Sequence, residues 1–170
     1  VEETDDDLPP DNPGRKRLPP LLRRAWYSLN QAFRRRIAYS GLTPDQFTIL
    51  RQLNEAPVEG VTQRELSIRM SSDPNTIASL LDRMEKAALV ERKPHETDRR
   101  AHRVQVLEKG RKLYVELRDI AVSLQTSVLE ILPDDRRAQF LADLEVIADA
   151  CLLAAKEAPQ TTIIKKPSAE

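Results

Sequence analysis

Asn75 and Thr76 carry the side chains best suited to reading a partner by hydrogen bonds. An Asn carboxamide can pair bidentately with the edge of adenine, and a Thr can offer its hydroxyl or its methyl to a base. Ser72 and Ser79 beside them are small and polar, so a backbone carrying them could come close to base edges. Arg83, Lys86, Lys93, Arg99 and Arg100 follow within a short span and could meet phosphates. Catalysis finds no such support. No nucleotide-binding glycine loop, catalytic triad or zinc-finger spacing is present, so neither an enzyme nor a bound cofactor is expected. The paired acids Asp134 and Asp135 follow Pro133 and read as helix-start charges.

The elements that must position these residues can be read from spacing. Asp73 before Pro74 suits an N-cap followed by a first helical residue. Ile77, Leu80, Leu81 and Met84 then recur as a helical stripe. The opposite face carries Asn75, Ser79, Asp82 and Lys86, flanked by Ser72, Thr76 and Arg83. Upstream, Thr62 and Glu65 form a capping box, and Leu66 and Met70 give that helix its apolar side. Only Ser71 and Ser72 separate it from Asp73, which predicts a helix-turn-helix. Leu89 to Lys93 and Ala101 to Leu107 can then pair as a β-hairpin, with Val104 and Val106 alternating against Arg103 and Gln105. Its loop holds Lys93, His95, Arg99 and Arg100, cations placed for groove or phosphate contacts. His95 and His102 could approach across the hairpin, but without a nearby cysteine they read as solvated or phosphate-facing, and no metal is expected.

On these residues the segment resembles the MarR family of bacterial winged-helix regulators. The resemblance rests on Pro74-Asn75-Thr76, Leu80-Leu81-Asp82-Arg83-Met84-Glu85, Leu89-Val90-Glu91-Arg92 and Asp98-Arg99-Arg100 with Gly110 beyond. The family's wing pattern is an Asp, any residue, an Arg, then a Leu-Thr pair and a Gly. Asp98, Arg100 and Gly110 fit it, and Val106-Leu107 stand where Leu-Thr is usual. Ser79 stands where many relatives have a basic residue. The resemblance implies a homodimer on a palindromic operator of double-stranded DNA, more a repressor than an activator, often released by a small ligand or oxidant. It also implies that Arg100 resembles a minor-groove probe and that Asp98 orients it. In relatives, effectors lie between the dimerisation helices and the DNA-binding lobe. Here Trp26, Tyr27 and Phe47 could line such a cleft between the first and fifth helices, with Arg34, Arg35 or Arg36 meeting an aromatic or amphipathic anion.

The rest of the chain frames this segment. Its net charge is zero, yet the first dozen residues hold six acids and no base, so the remainder carries a surplus of six positive charges. Local field, not the total, decides phosphate attraction. The expected organisation is a disordered acidic tail over 1–17, one domain over 18–158 and a flexible tail over 159–170. Within the domain, a winged helix over about 43–108 lies between dimerisation helices at 19–40 and 109–157. Leu22, Trp26, Leu29, Phe33 and Ile37 stripe the first helix, and Thr43 to Gln46 cap the second. Leu113, Leu117, Ile120, Leu124, Val128 and Ile131 stripe the long helix after the wing. Phe140, Leu141, Leu144, Ile147, Ala148, Cys151 and Leu152 give the last a broad apolar face, on which Cys151 is expected as a buried structural thiol. A small winged segment cannot cover these helices, and a second copy of the chain is the economical cover. No apolar run is long enough for a bilayer and no secretory signal is visible, so a cytoplasmic protein is expected. The expected fold is mainly α: a winged helix-turn-helix with a two-stranded β-wing and long N- and C-terminal dimerisation helices. The alternative function is a winged-helix protein-interaction module without DNA binding.

Overall fold

The computed structural model of the protein describes residues 12–94 and 102–157. In chain order the elements are α1 (Leu18–Arg36), a 3₁₀ turn (Ala38–Ser40), α2 (Pro44–Asn54), β1 (Val61–Thr62), α3 (Gln63–Arg69), α4 (Pro74–Lys86), β2 (Val90–Pro94), β3 (His102–Val106), α5 (Glu108–Leu129) and α6 (Asp134–Glu157). The chain forms two compact units, residues 1–124 and 125–170, and the division falls inside α5. No helix among the described residues is long and apolar enough to cross a membrane.

The first unit is built around one apolar core. Ile37, Ile49, Leu50, Leu66, Ile77, Leu81, Met84, Val104 and Leu117 are fully buried, contributed by the residue after α1 and by α2, α3, α4, β3 and α5. Burying a side chain of this kind is worth about 1.5–3 kcal/mol each. Helix starts are set as the sequence predicts. Thr43 and Gln46 close one capping box and Thr62 and Glu65 another, each with both reciprocal hydrogen bonds in place. Asp73 caps α4, its Oδ1 accepting from the backbone N–H of Asn75 at 3.0 Å and of Thr76 at 2.9 Å.

Helix ends use left-handed residues that are not glycine. Ser71 (φ 47°) ends α3 and Ala88 (φ 56°) ends α4. In the first turn the N–H of Ser72 reaches Ser67 O and that of Ser71 reaches Ile68 O, both at 3.0 Å. In the second, Leu89 N–H reaches Met84 O and Ala88 N–H reaches Glu85 O, both at 2.9 Å. Both are Schellman closures. They fix the tight α3–α4 turn and the exit of the chain from α4 into the wing.

Two expectations change. The predicted first helix to residue 40 ends at Arg36, because Ile37 leaves helical geometry (φ −99°, ψ 5°) and the chain tightens into the 3₁₀ turn before Gly41 (φ 72°). The predicted two-stranded wing is a three-stranded antiparallel sheet in the order β1-β3-β2. β3 pairs with β2 over Val90↔Val106 to Pro94↔His102, and its other edge takes β1 through Val61↔Val104 and Thr62↔Arg103. The third strand forms because Gly60 (φ 79°) lets the chain pass against β3, where a Cβ would sit 2.2 Å from Val104 O. Arg103 Nη1 donates to Gly60 O at 3.2 Å and Gln105 Nε2 to Val58 O at 3.2 Å, fastening the same approach.

In the second unit, Arg137 organises the turn into α6. Its Nε donates to Leu129 O at 3.1 Å and Leu132 O at 3.0 Å, and its Nη2 pairs with Asp134 at 2.8 Å. α6 buries none of its residues within the single chain. Cys151, expected to be buried, is exposed for that reason.

Candidate nucleic-acid interface

α4 presents two opposite faces. Ile77, Leu80, Leu81 and Met84 are buried in the core. Asn75, Thr76, Ser79, Arg83 and Lys86 are all exposed on the other side, and Ser72 is half-buried in the turn just before the helix. The fold thus brings six of the sequence-predicted residues onto one solvent-facing strip. Lys93 is exposed on β2, where its Nζ meets Gln105 Oε1 at 2.9 Å and Glu91 Oε1 at 2.8 Å. Asp98, Arg99 and Arg100, together with His95, lie outside the described residues. His102 is exposed at the start of β3. Among the described residues, no group of three or more His, Cys, Asp or Glu is placed to hold a metal ion.

The front of α4 is electrostatically prepared. The Thr76 hydroxyl donates to Asp73 Oδ2. That bond, then the backbone N–H of Thr76 and of Asn75, holds the Asp73 carboxyl below its ordinary range. Thr76 therefore has its donor engaged and its methyl free to face outward. Arg83 curls back along the helix, Nε to Ser79 O at 3.1 Å.

Each flank of α4 has its own neighbour. On one, Leu80 and Arg83 line a cleft of about 320 Å³ together with Trp26, Tyr27, Asn30, Gln31 and Arg34 of α1 and Thr43, Pro44 and Asp45 at the start of α2. This cleft lies between α1, α2 and α4, not between the first and fifth helices. Phe47, predicted as a lining residue with Trp26 and Tyr27, is instead core, 3% exposed. Its ring packs edge-on to Phe33 at 4.9 Å, stacks on Tyr114 of α5 at 5.8 Å and carries the Arg51 guanidinium at 5.3 Å. These aromatic contacts fill the place where α2 meets α5.

On the other flank, Arg92 of β2 reaches α4. Glu85 takes its backbone N–H and both Nε and Nη2, and Nη2 also pairs with Asp82. The spacing alone puts Arg92 in the hairpin's first strand and Asp82 on the polar face of α4. The structure pairs them with each other. A spacing of ten residues across a turn carries no helical or strand period, so nothing in the pattern announced it. Hydrogen bonds from the Arg92 guanidinium, and then from its backbone N–H, hold the Glu85 carboxyl below its ordinary range.

Comparison with known proteins finds a family that this arrangement resembles. The MarR family model matches residues 42–102, from α2 into β3. CouR from Rhodococcus jostii RHA1, solved bound to p-coumaroyl-CoA, is 29% identical, with a TM-score of 0.68 over 75% of this chain and 89% of that one. Over residues 42–102 the chain is similar to the MarR family. The transcriptional repressor CouR has also been solved on a 23-mer DNA duplex, at 28% identity and the same coverage. The HTH-type transcriptional regulator MhqR of Bacillus subtilis (strain 168) is 32% identical over 90 residues, which span 53% of this chain and 61% of that protein. MepR from S. aureus, solved with DNA, shares the fold at 19% identity, with a TM-score of 0.74 over 79% of this chain and 98% of that one. The winged-helix fold of these structures thus spans most of the chain, and the helix-turn-helix with the first strand of its wing is the part the family model matches.

Proposed function

We propose that this chain is a homodimeric, sequence-specific DNA-binding regulator of the MarR family, a repressor that occupies a pseudo-palindromic operator in the cytoplasm. The observation that carries the reading is the exposed strip of α4, from Asn75 through Lys86 with half-buried Ser72 just before it, which has small hydrogen-bonding side chains at its N-terminal end and cations toward its C-terminal end. That order suits base edges first and phosphates behind them. Two such helices about one duplex turn apart imply half-sites ~10 bp apart, centre to centre. Lys93, Arg99 and Arg100 extend the contact through the wing, and Asp98 orients Arg100 before docking. The DNA-bound relatives support the same reading. A protein-interaction module without DNA binding is the alternative, and no feature of the α4 strip favours it.

A gel shift against the DNA upstream of the protein's own gene tests the proposal. Binding should be saturable and should weaken steeply with salt; salt-insensitive or absent binding points to the interaction module. Arg100→Ala should weaken operator binding by about 1–3 kcal/mol per subunit. Asp98→Ala should weaken it too, although it removes a negative charge. Tighter binding by Asp98→Ala would show that bare electrostatics governs the tip.

The cleft beside α4 supports a small aromatic anion as effector. Trp26 and Tyr27 supply exposed ring surface, and Arg34 and Arg83 supply the cations. Such a ligand must bind the DNA-competent and DNA-incompetent states with different affinity to act. A panel of aromatic acids should quench Trp26 and weaken operator binding together; if neither moves, this effector class is wrong.

A further inference from the structure

Arg92 joins two parts of the candidate interface. Its backbone N–H donates to Glu85 Oε1 at 3.0 Å, while Nε and Nη2 donate to Glu85 Oε2 at 3.1 and 2.7 Å. One carboxylate thus holds the main chain and the side chain of the same residue, and Asp82 holds the guanidinium from a second side. Charge-assisted bonds of this forked kind are short and directional. The Arg92 side chain is 24% exposed, less than either carboxylate.

The clamp sits where it can govern direction. β2 and β3 pair residue for residue from Val90↔Val106 to Pro94↔His102, so the hairpin turns as one body. At its base it is tied by Leu107 N–H to Leu89 O at 2.9 Å and by buried Val90, Val104 and Val106. Those contacts fix where the wing begins. Arg92, two residues outward, ties β2 to Glu85 and Asp82 of α4. Each further strand residue lies about 3.3 Å farther out, so angular freedom at the base grows into displacement toward the tip. The cluster's charge argues against a direct phosphate contact: one guanidinium faces two carboxylates, leaving a local excess of one negative charge.

We propose that Arg92 is a positioning residue: with Glu85 and Asp82 it sets the angle between the recognition helix α4 and the wing, so that both engage one stretch of duplex, without itself touching DNA. The inference rests on the DNA-binding reading above, and its test separates the two.

The full chain is compared with Arg92→Ala, Arg92→Lys and Glu85→Gln. Each is titrated with the operator fragment over a salt series, with the active fraction measured by stoichiometric binding. Hydrogen exchange is followed at the amides of 90–93 and 102–106. Arg92→Ala should weaken binding roughly tenfold, the scale of a small polar network, with an unchanged salt slope and faster exchange in the wing. Arg92→Lys should not rescue it, because an ammonium lacks the fork that spans both carboxylates. Glu85→Gln should show the same pattern in milder form. A salt slope lowered by about one, with wing exchange unchanged, would identify Arg92 as a phosphate ligand and overturn the proposal. So would wild-type affinity and exchange in Arg92→Ala. If Arg92→Ala unfolds, Arg92→Lys and Glu85→Gln decide by the same two readouts. A wild-type chain that binds no DNA defeats the regulatory reading alone, and wing exchange then still decides whether Arg92 orients the hairpin.

Discussion

The Thr76 hydroxyl is already spent on Asp73 in the free protein, and this narrows what Thr76 can offer a base. Its methyl is the group left to make contact, as against a thymine methyl. Thr76→Val should therefore keep most of the operator's sequence preference at the position it faces, while Thr76→Ala relaxes it. Asn75→Ala should relax preference more strongly, since a bidentate base pair discriminates by about 1–3 kcal/mol. Affinities for a panel of single-base operator variants would measure both, and a uniform loss across the panel would reassign these residues to the backbone. Glu85 makes a pH prediction. Its folded-state carboxyl lies below the ordinary value of 4.5, so its contribution to stability is complete above that value and is lost as pH falls through the lower folded one. Glu65, held down first by the Thr62 backbone N–H and then by its side chain, adds in the same direction. Denaturant midpoints should drop in acid, and Glu85→Gln should show a shallower drop from a lower neutral-pH starting point. Parallel curves for the two proteins would show that the clamp carries no pH-dependent stability.

At the start of α5 a single atom decides the packing. α5 begins so close to the turn after α4 that a Cβ on Gly110 would lie 2.3 Å from Leu89 O and 2.9 Å from Val106 Cγ2. The neighbour is backbone and cannot rotate away, so Gly110→Ala should destabilise the protein by about 1–3 kcal/mol. A thermal melt reads this, and an unshifted melting temperature would show that α5 can shift without cost. The left-handed turns make the opposite prediction. Ser71 and Ala88 hold φ values that cost an L-residue about 1–2 kcal/mol, and glycine would relieve that strain while adding freedom to the unfolded chain. Ser71→Gly and Ala88→Gly should each raise stability by up to about 1 kcal/mol. Destabilisation by either would mean that the side chain contributes packing beyond the turn itself.

For the molecule as a whole, the uncovered apolar surface sets the expectation. Leu18, Leu21, Trp26 and Leu29 of α1 and Phe140, Leu141, Val146, Leu152 and Leu153 of α6 are exposed in the single chain. Side chains spaced this way along long helices ask for a partner helix, and the proposed second copy of the chain would provide one. The protein should sediment as a dimer, and removal of the residues after Pro133 should leave aggregated or unfolded material. A well-folded monomeric truncation would count against an obligate dimer. Trp26 is the sole tryptophan and 65% exposed in one chain. Its emission should shift to the red as the protein is diluted through its dimer dissociation range.

Local chemistry and period were legible in the residues alone. Asp73 and Pro74 start α4, Thr43 with Gln46 and Thr62 with Glu65 start α2 and α3, and Ile77, Leu80, Leu81 and Met84 face the core, each through contacts within about one or two turns. Fixing the buried face also fixed the exposed one, so Asn75, Thr76, Ser79, Arg83 and Lys86 were legible as a strip. What joins distant parts of the chain was not. β1 is two residues long and doubles as a helix N-cap, too short for any alternation to mark it as a strand. Phe47 sits at helical spacing that fits a cleft wall or a core equally, and only the rings of Phe33 and Tyr114 assign it to the core. Arg92 reads as one more cation until folding lays β2 beside α4 and gives it Glu85 and Asp82. The tertiary structure decided these because a hydrogen bond or a ring contact depends on proximity, and proximity across a turn or between helices leaves no period in the sequence.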